Sequence, residues 1–154
     1  MKVFLIPVLA LFLSACSTMQ VGSPKPFILV DLDPASADRT VIVESITADR
    51  NGMLYLPDRV TGNILRVDPK LPKPTVVGRI AAREIKGKKV EPNASGIAFN
   101  LQGDLFVAVG PFAEVVRIRA SEIHSAKPGL AQTFATGTPG ANGIVFDRQG
   151  NLFV

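Results

Sequence analysis

The chain has 154 residues, one cysteine, one histidine, no tryptophan and a formal net charge of +4. A lone cysteine excludes an internal disulfide, and a lone histidine, His124, excludes a histidine-based metal cluster. The densest basic cluster, Arg83, Lys86, Lys88 and Lys89, is interrupted by Glu84 and has no aromatic residue within it, so it reads as a solvated loop and not as a nucleic-acid surface.

Residues 1–15 read as an export signal. Lys2 gives a positive start, and Val3 to Leu13 is an apolar run. That run is too short to span a bilayer, which takes roughly 20 residues. It ends in Leu13-Ser14-Ala15-Cys16, which resembles the lipobox of bacterial lipoproteins. The resemblance implies acylation of Cys16, cleavage before it, and a mature chain held to a membrane by lipid. The alternative is an ordinary secretion signal with a chance cysteine. Ser17, in place of an aspartate, points to the outer membrane in a Gram-negative cell. Residues 16–26 then comprise the lipidated cysteine and a Ser-, Gly- and Pro-containing flexible tether. No later stretch is long and apolar enough to cross a membrane.

From residue 27 onward the chain reads as one domain, and its most informative feature is internal repetition. Glu44-Ser-Ile-Thr-Ala-Asp-Arg-Asn-Gly-Met-Leu-Tyr-Leu56 aligns without gaps to Ser95-Gly-Ile-Ala-Phe-Asn-Leu-Gln-Gly-Asp-Leu-Phe-Val107. Both align to Asn142-Gly-Ile-Val-Phe-Asp-Arg-Gln-Gly-Asn-Leu-Phe-Val154, at spacings of 51 and 47 residues. Each unit is an apolar strand, an Asp/Asn-x-x-Gly turn and a second apolar strand, which spells a β-hairpin. The recurrent Asp49, Asn100 and Asp147 are turn residues in this reading. Further strands are expected over residues 63–68, 75–81, 114–119 and 131–136. A single helical turn is expected over residues 120–124.

Four strands in a repeat of about 50 residues describe a β-propeller blade. A β-sandwich does not account for three gapless matches, and a β-helix repeats at a shorter period. The fold class is therefore all-β, a propeller of about two and a half blades. Because propellers close with four to eight blades, the chain is expected to be part of a longer propeller; a multimeric ring is the lesser alternative.

The innermost strand of each blade lines the central channel, so the slot just before it falls on one ring. That slot holds Glu44, Ser95 and Asn142. A carboxylate and an amide oxygen converging there are hard donors suited to Ca²⁺. The alternative is that they merely satisfy backbone groups at strand starts.

From Val41 to Val154 these units resemble the gluconolactonase and senescence-marker-protein (regucalcin-like) family of six-bladed propellers, and more broadly NHL repeats. The resemblance implies one divalent metal, with Glu44 as the first-blade ligand and Asn142 as the third-blade ligand. The second-blade slot, Ser95, contributes none. It also implies hydrolysis of a sugar lactone, with the metal polarising the ring carbonyl. Two functions are thus expected. One is a lipid-anchored, calcium-dependent lactonase facing the periplasm. The other is a non-catalytic propeller that binds a protein or glycan at the envelope. His124 is expected at the surface, and Asp58 as the cap of a turn.

Overall fold

The computed structural model describes residues 25–33, 38 and 40–154. The signal, Cys16 and most of the tether lie outside the described residues. Lys25 and Pro26, the end of the tether, are exposed and without regular structure.

The first repeat builds β1 (Thr47–Ala48), β2 (Leu54–Pro57), β3 (Asn63–Asp68) and β4 (Leu71–Arg79). They pair in chain order as an antiparallel meander. A hairpin, β5 (Arg83–Ile85) and β6 (Lys88–Val90), stands between the repeats. The second repeat supplies β7 (Ile97–Phe99), β8 (Leu105–Val109), β9 (Glu114–Ile118), helix α1 (Ala120–Ile123), β10 (Gly129–Leu130) and β11 (Gln132–Thr136). Strands β7, β8, β9 and β11 form the second four-stranded antiparallel sheet, while β10 crosses back to pair in parallel with β4. The third repeat begins with β12 (Val145–Phe146) and β13 (Leu152–Phe153). The innermost strands β1, β7 and β12 are successive neighbours. Two four-stranded blades and the opening hairpin of a third, joined through their inner strands, are the architecture that the repeat predicts.

The three turns are copies of one another because the same atoms solve the same problem. Asp49 Oδ1 accepts from the amides of Asn51 and Met53 at 2.8 and 3.0 Å. Asn100 Oδ1 accepts from Gln102 and Asp104 at 3.0 and 2.8 Å. Asp147 Oδ1 accepts from Gln149 and Asn151 at 2.9 and 2.8 Å. Gly52, Gly103 and Gly150 each take the left-handed conformation that closes the turn, with φ of 79°, 84° and 88°. The recurrent Asp/Asn is thus structural, as the sequence indicates.

Alternation along the strands divides the apolar residues between two faces. Leu105, Val107 and Val109 of β8 point toward the first blade and join Tyr55, Ile64, Val77, Ile97, Val116 and Ile118 in the main core. Phe106, on the opposite face, meets Phe134 and Phe146 edge-on at 4.8 and 4.9 Å between ring centroids. It therefore seals the second blade against the third. The outer face of the first blade, Leu56, Leu65 and Val67, is covered by Val30, Leu32, Val41 and Val43 of the N-terminal segment.

Two expectations need correction. The run Arg83–Lys89 is not an unstructured loop but most of the hairpin β5–β6. Lys86 and Gly87 both take positive φ (52° and 70°), the two-residue turn that matches strand twist. Arg83 anchors this hairpin to the second blade. Its guanidinium donates to Glu114 at 2.8 Å and Thr133 at 3.2 Å, and lies 4.6 Å from the centre of the Phe112 ring. That hydrogen bond from Arg83 holds the Glu114 carboxyl below the usual carboxylate range. The second correction is β4, expected over 75–81 but starting at Leu71, because Leu71 pairs with Asp68 across a tight connection.

Candidate functional site

The slot residues come together. Glu44, Ser95 and Asn142 line one cavity of about 240 Å³, with Arg59, Asn93, Gly110, Pro111, Gly140 and Ala141. All three slots lie at the same end of the inner strands, away from the Asp/Asn turns, so the cavity sits at one mouth of the channel.

Each side chain is placed by a local device. Glu44 follows Val43, which bridges to Asp58 in antiparallel fashion. That register makes Glu44 and Arg59 diagonal neighbours on one face, and Arg59 Nη1 donates to Glu44 Oε1 in an ion pair. Asp58 holds the loop that presents Arg59. Its buried carboxylate accepts from the amides of Ile42 and Val60 at 3.2 and 3.0 Å and from the Thr61 hydroxyl. Asp58 thus caps a turn, as expected, and the Arg59 amide completes the junction by donating to Ile42 O at 2.9 Å. Asn93 takes φ 48°, a left-handed conformation that asparagine tolerates better than most residues. Its Oδ1 accepts from Arg59 Nε at 3.3 Å.

Ser95 is buried, and its hydroxyl lies 3.3 Å from Ala108 O, 3.4 Å from Ala141 O and 3.2 Å from Asn142 O. It staples the second blade to the chain that carries Asn142 and leaves no donor for a ligand. Gly96 allows this approach: a Cβ there would lie 2.1 Å from Asn142 O. Asn142 is exposed, and its side-chain amide makes no hydrogen bond among the described residues.

Arg59 and Asn93 are the members of the site that motif reading missed. Arg59 sits 15 residues after Glu44. The same offset from Ser95 reaches Gly110, which also lines the cavity. Extending the repeat past its second strand reveals the position but not its chemistry, because the two blades fill it with unlike residues.

The donor set does not fit a divalent cation as it stands. Among the described residues Glu44 is the only carboxylate lining the cavity, and it is paired with Arg59. No three His, Cys, Asp or Glu side chains gather to hold a metal among the described residues. A guanidinium paired with that carboxylate repels the ion that the carboxylate would attract. What remains without a hydrogen-bond partner among the described residues is Arg59 Nη2, the second Glu44 oxygen and the Asn142 amide: donors and acceptors in a charge-balanced setting.

A larger cavity of about 520 Å³ lies at the opposite ends of the inner strands, lined by the three Asp/Asn turns and His124. Its carboxylates, Asp49 and Asp147, are occupied by turn amides, and Arg50 donates to Leu101 O at 3.0 Å. His124 is exposed at its rim, as expected of a surface residue.

No protein-family model matches the chain, and no curated protein does. Solved structures do. A catalytically inactive H270A virginiamycin B lyase from Staphylococcus aureus, solved with quinupristin, superposes with a TM-score of 0.53 at 13% identity, over 76% of this chain and 35% of that one. The selenomethionine-substituted enzyme from the same organism gives 0.51 at 12% identity, over 73% and 33% of the two chains. A streptogramin B lyase gives 0.50 at 11% identity, over 71% and 32%. The chain therefore spans about a third of the length of these lyases. At such identities the likeness speaks to fold alone: the chain is part of a β-propeller.

Proposed function

We propose that this chain forms blades of a lipid-anchored envelope propeller whose channel mouth binds a polar, hydroxyl-rich small molecule of the sugar-lactone class. The observation that supports this most is the convergence of Glu44, Arg59, Asn93 and Asn142 on one cavity. Convergent polar groups in a concavity are the usual form of a small-molecule site. Its volume, about 240 Å³, suits a small ligand. Lipid attachment at Cys16, with the propeller facing the periplasm from the outer membrane, belongs to the same proposal and rests on the lipobox-like Leu13-Ser14-Ala15-Cys16.

A second reading is lactone hydrolysis at a calcium ion held by Glu44 and Asn142. The position of both residues at one cavity favours it; the Arg59–Glu44 pair weighs against it.

Calorimetric titration of the intact protein with D-gluconolactone tests the first reading. Binding that weakens about tenfold in Asn142→Ala, the loss of one good polar contact, is the expected result. Binding that is unaffected by this change removes the mouth as the site. Calcium binding that disappears in Glu44→Gln would restore the metal-dependent reading.

A further inference from the structure

We infer that the Arg59–Glu44 pair is a charge-balanced selector that admits an uncharged lactone and rejects the open-chain acid of the same sugar. This deepens the reading of the mouth as a small-molecule site and rests on it.

The inference starts from valence. Arg59 has five N–H donors. Nη1 is engaged by Glu44 and Nε by Asn93 at 3.3 Å. Nη2 has no hydrogen-bond partner among the described residues, and Arg59 lines the cavity. The Nη2 donors are therefore left unpaired on a guanidinium whose direction is fixed by two neighbours, and can donate to a carbonyl oxygen. Glu44 offers the complementary function: one oxygen binds Arg59 and the other can accept from a hydroxyl. Asn142 supplies both a donor and an acceptor beside them.

Charge then decides which ligand fits. Among the described residues the cavity lining carries one positive and one negative side chain and no other formal charge. A neutral ring ester with hydroxyls satisfies both members without disturbing their balance. The corresponding carboxylate would bring a second negative charge next to Glu44. Like charges placed side by side in a recess repel, whereas the gain at Arg59 is already shared with Glu44. The two side chains are only about one-third exposed (32% and 36%), so solvent screens this repulsion only in part.

The pair is also held by backbone and not by chance rotamers. The Val43–Asp58 bridge sets the register, and the buried Asp58 carboxylate clamps both strands. The balance is thus a property of the fold at this junction.

The test compares D-gluconolactone with D-gluconate on the intact protein by calorimetry, with and without added calcium. The wild type is expected to bind the lactone at least about tenfold tighter than the acid, and calcium is expected to change neither value. Glu44→Gln, nearly isosteric, leaves Arg59 unopposed and is expected to reverse the preference toward gluconate. Arg59→Gln is expected to weaken both ligands, with partial recovery of lactone binding in Arg59→Lys. A wild type that prefers gluconate, or a Glu44→Gln variant that keeps the lactone preference, overturns the selector while leaving the mouth as a binding site. A wild type that binds neither ligand contradicts the binding reading itself, and the selector falls with it.

Discussion

Tyr55 shows how a single residue reports on the first blade. It is the only tyrosine in the chain and fully buried between the blades, with its ring edge-on to Phe99 at 4.9 Å. Its hydroxyl donates to Asp49 Oδ2 at 3.1 Å, so it also braces the turn from inside. Burial, reinforced by the Asp49 charge and this hydrogen bond, raises its pKa from 10.0 to about 12. The folded state therefore holds the phenolic proton more tightly than the unfolded state does. The stability this confers is complete below pH 10 and is lost as pH rises toward 12. Alkaline absorbance titration reads this one group without interference. The expected midpoint is near 12 while the chain remains folded, falling to about 10 in denaturant. A folded-state midpoint near 10 would place Tyr55 in solvent and contradict the inter-blade core.

The residues of the site differ in how legible they are. Glu44, Ser95 and Asn142 can be found because each occupies the same slot of a repeated pattern, and the fold turns sequence period into spatial ring. Arg59 follows the first unit, and its counterpart in the second is Gly110. Asn93 comes into reach only through its left-handed backbone and the path of the chain after β6. The decisive ion pair thus joins one repeat-encoded residue to one whose position, but not its chemistry, the repeat marks. That is why the metal expectation arose for Glu44 and why the structure weighs against it.

At the scale of elements, strands that follow apolar alternation are readable, and those made by tertiary pairing are not. Asn63–Asp68 is strand as expected, with Ile64 on one face and Leu65 and Val67 on the other. Strand β10 is only Gly129–Leu130 and exists because the chain returns to pair with Gly78 and Arg79 of the first blade. No local pattern could announce it. The hairpin β5–β6 carried a readable signal, the Lys86-Gly87 turn, but its charged strands disguised it. The joint between the second and third units gives the clearest element-level prediction. A Cβ at Gly96 would lie 2.1 Å from Asn142 O and 2.9 Å from Ile144 N, both backbone atoms that cannot rotate away. Gly96→Ala is expected to destabilise the fold by about 1–3 kcal/mol, the usual range for overpacking, and to weaken ligand binding by displacing Asn142. Gly143, its counterpart in the third unit, meets nothing within 4 Å. The same change there in this chain should cost less than about 0.5 kcal/mol. Denaturant midpoints of the two variants make the comparison, and equal losses would mean that the joint is not packed as described.

The whole molecule is an arrangement of copies around an axis. Strands β1, β7 and β12 stand side by side, their turns gather at one end, and their starting residues gather at the other. Everything proposed about the mouth depends on that single geometric fact, since residues 44 and 142 are far apart in sequence and share no strand pairing. It can be measured without any ligand. Cys16, the only natural cysteine, is replaced by serine, cysteines are placed at Glu44 and Asn142, and a short bifunctional thiol reagent is applied to the folded protein. A matching pair at Asp68 and Asn142 serves as the distant control. The account predicts rapid internal cross-linking of the Glu44→Cys, Asn142→Cys protein and none of the control. Failure of the first pair to cross-link, or equal reaction of the second, would contradict the shared mouth and with it the site.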